Sequence, residues 1–151
     1  MELTKMKLVS IKNNLKGMED LATAVFVCDK DLIIKYINPS AEILFELSYD
    51  QVVNESISLF FEEIDFFKDA LNQAKTKQSS YREHEYFIKT KQNKTICVSF
   101  TITPIESKEF DFIVEFIQMD QQLRVAREER MFIQQQANSE LLRNLAHEIR
   151  N

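Results

Sequence analysis

The feature that most constrains this chain is that the spacing of its apolar residues changes period twice. From Ile64 to Lys77, the residues Ile64, Phe67, Ala70, Leu71 and Ala74 recur at steps of three and four, which predicts a helix with one buried face. From Tyr81 onward the step falls to two. Tyr81 to Lys89 reads as a strand, Thr95 to Thr103 places Ile96, Val98, Phe100 and Ile102 on one face, and Phe110 to Gln118 places Phe110, Phe112, Val114 and Phe116 together. Turn-forming residues at Lys91 to Lys94 and Ser107 to Glu109 separate these runs, so three antiparallel strands follow the helix. From Met119 the helical period returns and holds to the last residue. A chain patterned this way is α+β, with one long helical appendage.

The first part of the chain supplies two more strands. Ala24 to Cys28 and Leu32 to Ile37 are short β-rich runs joined by Asp29-Lys30-Asp31, which reads as a hairpin turn. Asn38-Pro39 then starts a helix, because Asn38 can cap the free amides and Pro39 loses no hydrogen bond in a first turn. Ser48 with Gln51 three residues on reads as a capping box and a second helix start. Ahead of all this, Leu8, Ile11, Leu15 and Met18 form one apolar stripe, so residues 1–18 are expected to be an amphipathic helix stopped near Gly17.

Composition narrows the function classes. The chain has 151 residues, 44% hydrophobic and 28% charged, enough for one core plus an extended segment. Its 12 phenylalanines, all but Phe132 within the first 116 residues, locate that core. A net charge of −5 argues against a nucleic-acid partner, which needs a basic face. No apolar run approaches a membrane span, and Glu2 with early lysines does not read as a signal peptide, so a cytoplasmic location with no membrane partner is expected. Cys28 and Cys97 each sit in a strand-like apolar run and read as buried thiols rather than a disulfide or metal pair. One glycine in the whole chain leaves neither a P-loop nor a Rossmann loop.

The order of two strands, short helices, a longer helix and three strands resembles a PAS domain over about residues 19–120. Its most specific pieces are Tyr36-Ile37-Asn38-Pro39-Ser40-Ala41, entering the first helix, and Asp120, closing the last strand. The resemblance implies a five-stranded antiparallel sheet with helices on one face. Glu46 and Asn54 stand where the family usually carries glycine. Asn tolerates a left-handed backbone, so Asn54 is a natural replacement and Glu46 the more demanding one.

PAS-like domains often hold a ligand between sheet and helices. His84 lies in the charged run Arg82-Glu83-His84-Glu85 and reads as a surface residue rather than a haem ligand. Cys28 lies in the first strand, and the flavin-adduct motif of light sensors is absent. Leu59-Phe60-Phe61 with Phe66-Phe67 reads as core rather than pocket lining. No cofactor and no metal is expected in this chain.

Residues 121–151 are expected to be a coiled-coil linker running into a dimerisation helix. Leu123, Ala126, Arg130, Ile133 and Ala137 alternate steps of three and four, as in a weak two-stranded coiled coil. Ala137, Leu141, Leu145 and Ile149 then follow in fours, a stutter that rotates the apolar seam. Such a seam reads either as a switch or as a plain linker whose Gln134-Gln135-Gln136 face is solvated. Leu141, Leu142, Leu145, Ala146 and Ile149 fall within an arc of roughly 140°, and His147 falls almost opposite it, with Glu140, Arg143, Asn144 and Asn151 on its polar side. A nucleophilic histidine must be reachable, with one ring nitrogen free and the other held by an acceptor; Glu148 is the acceptor at hand.

His147-Glu148-Ile149-Arg150-Asn151 resembles the H-box of bacterial sensor histidine kinases, and Asn144 to Asn151 resembles the nitrogen-regulation NtrB type in particular. The resemblance implies a homodimer in which His147 accepts the γ-phosphoryl group of ATP and passes it to an aspartate of a response regulator. It further implies that Glu148 orients and activates the imidazole, that Asn151 positions water for dephosphorylation of the regulator, and that a PII-type signal protein supplies input. ATP and Mg2+ would belong to a catalytic domain beyond Asn151, since the helical pattern stops there without a stop signal, and this chain alone is expected to be inactive. Two other classes stay open: a PAS interaction module with an incidental His147, and a small-metabolite sensor carrying the same arm.

Overall fold

The structure, a computed structural model, describes residues 13–119 and 121–150. It divides into two units, residues 1–118 and 119–151. The first holds a five-stranded sheet of β1 (Ala24–Cys28), β2 (Ile34–Ile37), β3 (Tyr81–Lys89), β4 (Thr95–Pro104) and β5 (Phe112–Gln118), in the order β2-β1-β5-β4-β3. Every strand pair is antiparallel. Helices α1 (Pro39–Phe45), α2 (Tyr49–Val52) and α3 (Asp65–Lys77) lie between β2 and β3 in the chain.

The two-residue period of the strands does what it must in a sheet covered on one face. Ile96, Val98, Phe100 and Ile102 of β4 join Phe112, Val114 and Phe116 of β5 and Ala24, Phe26 and Cys28 of β1 in one buried cluster. The helices close it with Ala41 and Phe45 of α1, Val52 of α2, and Phe67, Ala70, Leu71 and Ala74 of α3. That is the apolar stripe predicted for the longer helix. The opposite face of the sheet is covered only in part: Val25, Val27 and Tyr36 are buried there beneath Leu15, with Met18 and Phe110 against them.

Several local expectations need correction. Phe110 does not share the core face of β5: it precedes the strand and packs with the cluster on the other side of the sheet. β2 begins at Ile34 rather than Leu32, because Leu32 takes a left-handed backbone (φ 62°) that ends the turn. The capping box at Ser48 does not form: Ser48 precedes α2 but makes no side-chain cap. Instead the Tyr49 N–H donates to Glu42 Oε2 (3.1 Å), so a carboxylate from the preceding helix caps this one. Of the aromatic stretch read as core, Phe61 and Phe67 are buried, whereas Leu59 is exposed and Phe66 lies at the surface against Tyr86.

Both positions where glycine is usual adopt the left-handed conformation, Glu46 at φ 54° and Asn54 at φ 65°. Glu46 ends α1, its N–H donating to the Glu42 carbonyl, and its carboxylate pairs with Lys94 of the β3–β4 hairpin. That ion pair gives an L side chain a partner in a conformation costing about 1 kcal/mol or more. Leu8 and Ile11 of the predicted first helix lie outside the described residues. Gly17 is left-handed (φ 102°), as a helix stop there requires.

Candidate functional site

In the second unit, α4 (Gln121–Arg150) is one continuous helix of 30 residues. His147 and Glu148 lie in its last turn with both side chains exposed, and neither makes a side-chain hydrogen bond or ion pair among the described residues. Asn151 lies outside those residues. The apolar arc on the other side of the helix is also open: Leu141 is 59%, Leu142 67% and Ile149 84% exposed. Along the helix, Arg124 pairs with Glu128 one turn on (3.8 Å). A helix this polar is marginal in water on its own backbone bonds, and its apolar arc is exposed.

In the first unit, the space between sheet and helices is occupied by side chains. Phe26 meets Phe45 and Phe116 edge-on, each at 5.4 Å between ring centroids, and Phe45 meets Phe61 at 4.9 Å. Phe67 stacks on Phe100 at 4.9 Å, and Tyr86 meets both Phe66 and Phe67. Edge-to-face and offset contacts of this kind add about 0.5–1.5 kcal/mol per pair beyond burial. The rings interlock across both layers, so a ligand seated among them would have to displace part of the core.

The two thiols differ. Cys28 is fully buried, and burial, with Asp29 and Asp111 nearby, pushes its pKa up to about 12. Cys97 is half-buried. His84 is exposed beside an irregularity in the β3–β4 pairing between Glu83 and Tyr86. Among the described residues no group of His, Cys, Asp and Glu is placed to hold a metal ion. No described helix is long and apolar enough to cross a membrane.

Asn38 does more than the cap assigned to it from sequence. Its Oδ1 accepts from the N–H of Ala41 (3.0 Å) at the start of α1 and from the N–H of Val25 (2.9 Å) in β1. Its Nδ2 donates to the carbonyls of Met18 (3.0 Å) and Thr23 (2.8 Å). A fully buried amide thus spends its whole hydrogen-bonding capacity joining the entry segment, the first strand and the first helix. The Asn-Pro pair signals the cap; the three long-range partners have no local signature.

Comparison with known proteins bears on both units. Residues 15–119 match the PAS fold family. The sensory histidine kinase/phosphatase NtrB of Vibrio alginolyticus is 31% identical over 135 residues, 89% of this chain and 38% of that protein. The NtrB of Salmonella typhimurium is 30% identical over 139 residues, with the same shares. The chain therefore spans less than two-fifths of the length of these relatives. Among solved structures, the PAS domain of nitrogen regulation protein NR(II) from Vibrio parahaemolyticus superposes with a TM-score of 0.58 at 22% identity, covering 68% of this chain and 94% of that one. A PAS domain from Colwellia psychrerythraea reaches 0.61 at 15% identity, covering 73% and 97%. The matched residues take in the sheet, its three helices and the ring-filled core, and the chain belongs to the PAS fold family, with NtrB-type sensor histidine kinases as its curated relatives.

Proposed function

We propose that this chain is the sensory and dimerisation portion of a cytoplasmic two-component sensor histidine kinase of the NtrB type. The observation that carries the reading is the string His147-Glu148-Ile149-Arg150-Asn151 on a helix whose open apolar arc faces away from the imidazole, in a chain that aligns with NtrB relatives over nine-tenths of its length. Two copies of α4 pair through the arc and leave His147 on the outside, open to a nucleotide domain and then to a receiver domain.

In this reading, one nitrogen of the neutral His147 imidazole attacks the γ-phosphorus of ATP. An N–P bond forms, the bond to the ADP oxygen breaks, and the charge that develops on the ring is met at the other nitrogen by the Glu148 carboxylate. The nucleotide and its magnesium would be held on a separate catalytic domain, and the metal would supply charge neutralisation for the leaving group. Phosphoryl transfer asks mainly for positioning and charge neutralisation, so the contribution of α4 is the placement of the nucleophile. The phosphoryl group then passes to an aspartate of a response regulator, and Asn151 orients the water that later removes it. A PII-type signal protein is the expected source of nitrogen input. By itself the chain is inactive in this reading, because the single glycine leaves no P-loop or Rossmann loop.

The ring-filled interior argues against a metabolite seated between sheet and helices, where it would have to displace part of the core. The test is transfer of labelled phosphate from the full-length gene product to a receiver domain. Glu148→Gln is expected to slow self-labelling by roughly a hundredfold or more, the loss typical of a positioned general base. Asn151→Ala is expected to leave self-labelling near normal and prolong the life of the labelled receiver. Equal behaviour of wild type and both variants would contradict the assigned roles.

A further inference from the structure

The β1–β2 turn is held more firmly than a hairpin turn needs. Asp29 Oδ1 accepts from the N–H of Asp31 (2.9 Å) and of Ile33 (3.0 Å), and Asp111 Oδ2, from just ahead of β5, accepts from the N–H of Lys30 (2.9 Å). Leu32 completes the turn in the left-handed region, which a bulky side chain enters only under constraint from its surroundings. The result is a fixed platform that presents the Lys30 ammonium group beside α3.

On α3, Lys68, Leu71, Asn72 and Lys75 stand at i, i+3, i+4 and i+7, one stripe along the helix. The stripe and the turn enclose a cleft of about 340 Å3. Leu71 and Phe112, both buried, form its apolar floor, and Lys30, Lys68 and Lys75 stand around it with Asn72. Asp31 is the one carboxylate on its wall. Three ammonium groups stand against Asp31 on the wall and Asp111, which accepts from the Lys30 N–H, a positive balance in a chain whose net charge is −5. None of the three lysines, nor Asn72, makes a side-chain hydrogen bond or ion pair among the described residues. An adjoining cleft of about 290 Å3 shares Lys75 and is lined by Glu106 and Asp111, so the carboxylates gather on that side and the lysines on the Lys68 side.

We propose that this cleft binds a small organic dianion, a phosphate monoester or a dicarboxylate with a short apolar body. The lysines meet the two negative charges, the Asn72 amide adds a directional donor, and the apolar body rests on Leu71 and Phe112. The site is on the outside of the domain, separate from the ring-filled interior, and does not depend on the phosphotransfer reading. Because Lys30 rides on a turn tied to both β1 and the start of β5, occupancy stiffens the end of the sheet where those strands meet.

The test is an amide NMR titration of the 151-residue chain at constant ionic strength with three probes: phenyl phosphate, phthalate and inorganic phosphate. Expected are saturable shifts of the amides of residues 30–32 and 68–75 with phenyl phosphate or phthalate, the tighter of the two identifying the head group. Inorganic phosphate, lacking the apolar body, should bind about tenfold more weakly, the equivalent of roughly 1.4 kcal/mol. The double variant Lys68→Gln with Lys75→Gln, both exposed and so not needed for folding, should lose affinity by about tenfold or more at unchanged Tm. Linear, non-saturating shifts, equal shifts in the double variant, or inorganic phosphate binding as tightly as the organic probes would overturn the proposal. So would saturation by an acidic peptide alone.

Discussion

At the scale of the residue, two buried side chains decide how much the first unit can tolerate. Asn38 satisfies two donors and two acceptors from three different parts of the chain. Truncating it leaves the buried N–H of Val25 without its acceptor and the carbonyl of Thr23 without its donor, while the N–H of Ala41 keeps the Asn38 carbonyl and the carbonyl of Met18 keeps the Leu21 N–H. Asn38→Ala is therefore expected to destabilise the unit by about 3 kcal/mol, measured as a lower urea midpoint at unchanged slope. Asn38→Asp, which keeps the acceptor and loses the donors, should recover only part. Cys28 supplies a pH dependence. Its folded pKa, about 12, lies above the usual thiol value. Below pH 9 both folded and unfolded chains keep the thiol protonated and its contribution is fully present. Between about pH 9 and 12 only the unfolded chain releases the proton, so stability falls as pH rises. Burial also raises the phenols of Tyr36, Tyr49 and Tyr86, in the same direction. Chemical denaturation from pH 8 to 11 should show the falling midpoint, and Cys28→Ser should make it shallower; a midpoint constant across that range would contradict the buried thiol.

At the scale of the element, the strands were the most legible and the turns the least. Period-two runs in β4 and β5 predicted their faces because a buried face enforces alternation at every second residue; Phe110 escaped because it lies just before the strand, where alternation no longer applies. Leu32 looked like a strand residue because nothing in a leucine announces a left-handed backbone, whereas the Asp29-Lys30-Asp31 triplet did announce the turn. Glu42 capping α2 joins residues seven apart on separate helices, beyond any local capping rule. For α4 the sequence yields both faces, and the structure leaves the apolar one open. If that face is a dimer seam, Leu145→Asn with Ile149→Asn should weaken self-association by an order of magnitude or more in sedimentation equilibrium and lower helix content. A monomeric wild type with full helicity in solution would exclude the seam.

At the scale of the whole molecule, a domain with a filled interior precedes a helix that carries a candidate nucleophile on one side and an unpartnered apolar arc on the other. The fold of the first unit could be read from period, turn residues and the Tyr36 to Ala41 run. The chemistry of His147 could be read only as a motif, because an exposed imidazole on a helix has no local geometry that distinguishes a phosphoacceptor from a solvated residue. The two resolve chemically. The most direct measurement is to incubate the full-length gene product with labelled ATP and magnesium, wild type beside His147→Gln, and to map the labelled residue. The account predicts an acid-labile, base-stable phosphate on His147 and none in the variant. Label that persists in His147→Gln, or no label in either protein, would contradict it.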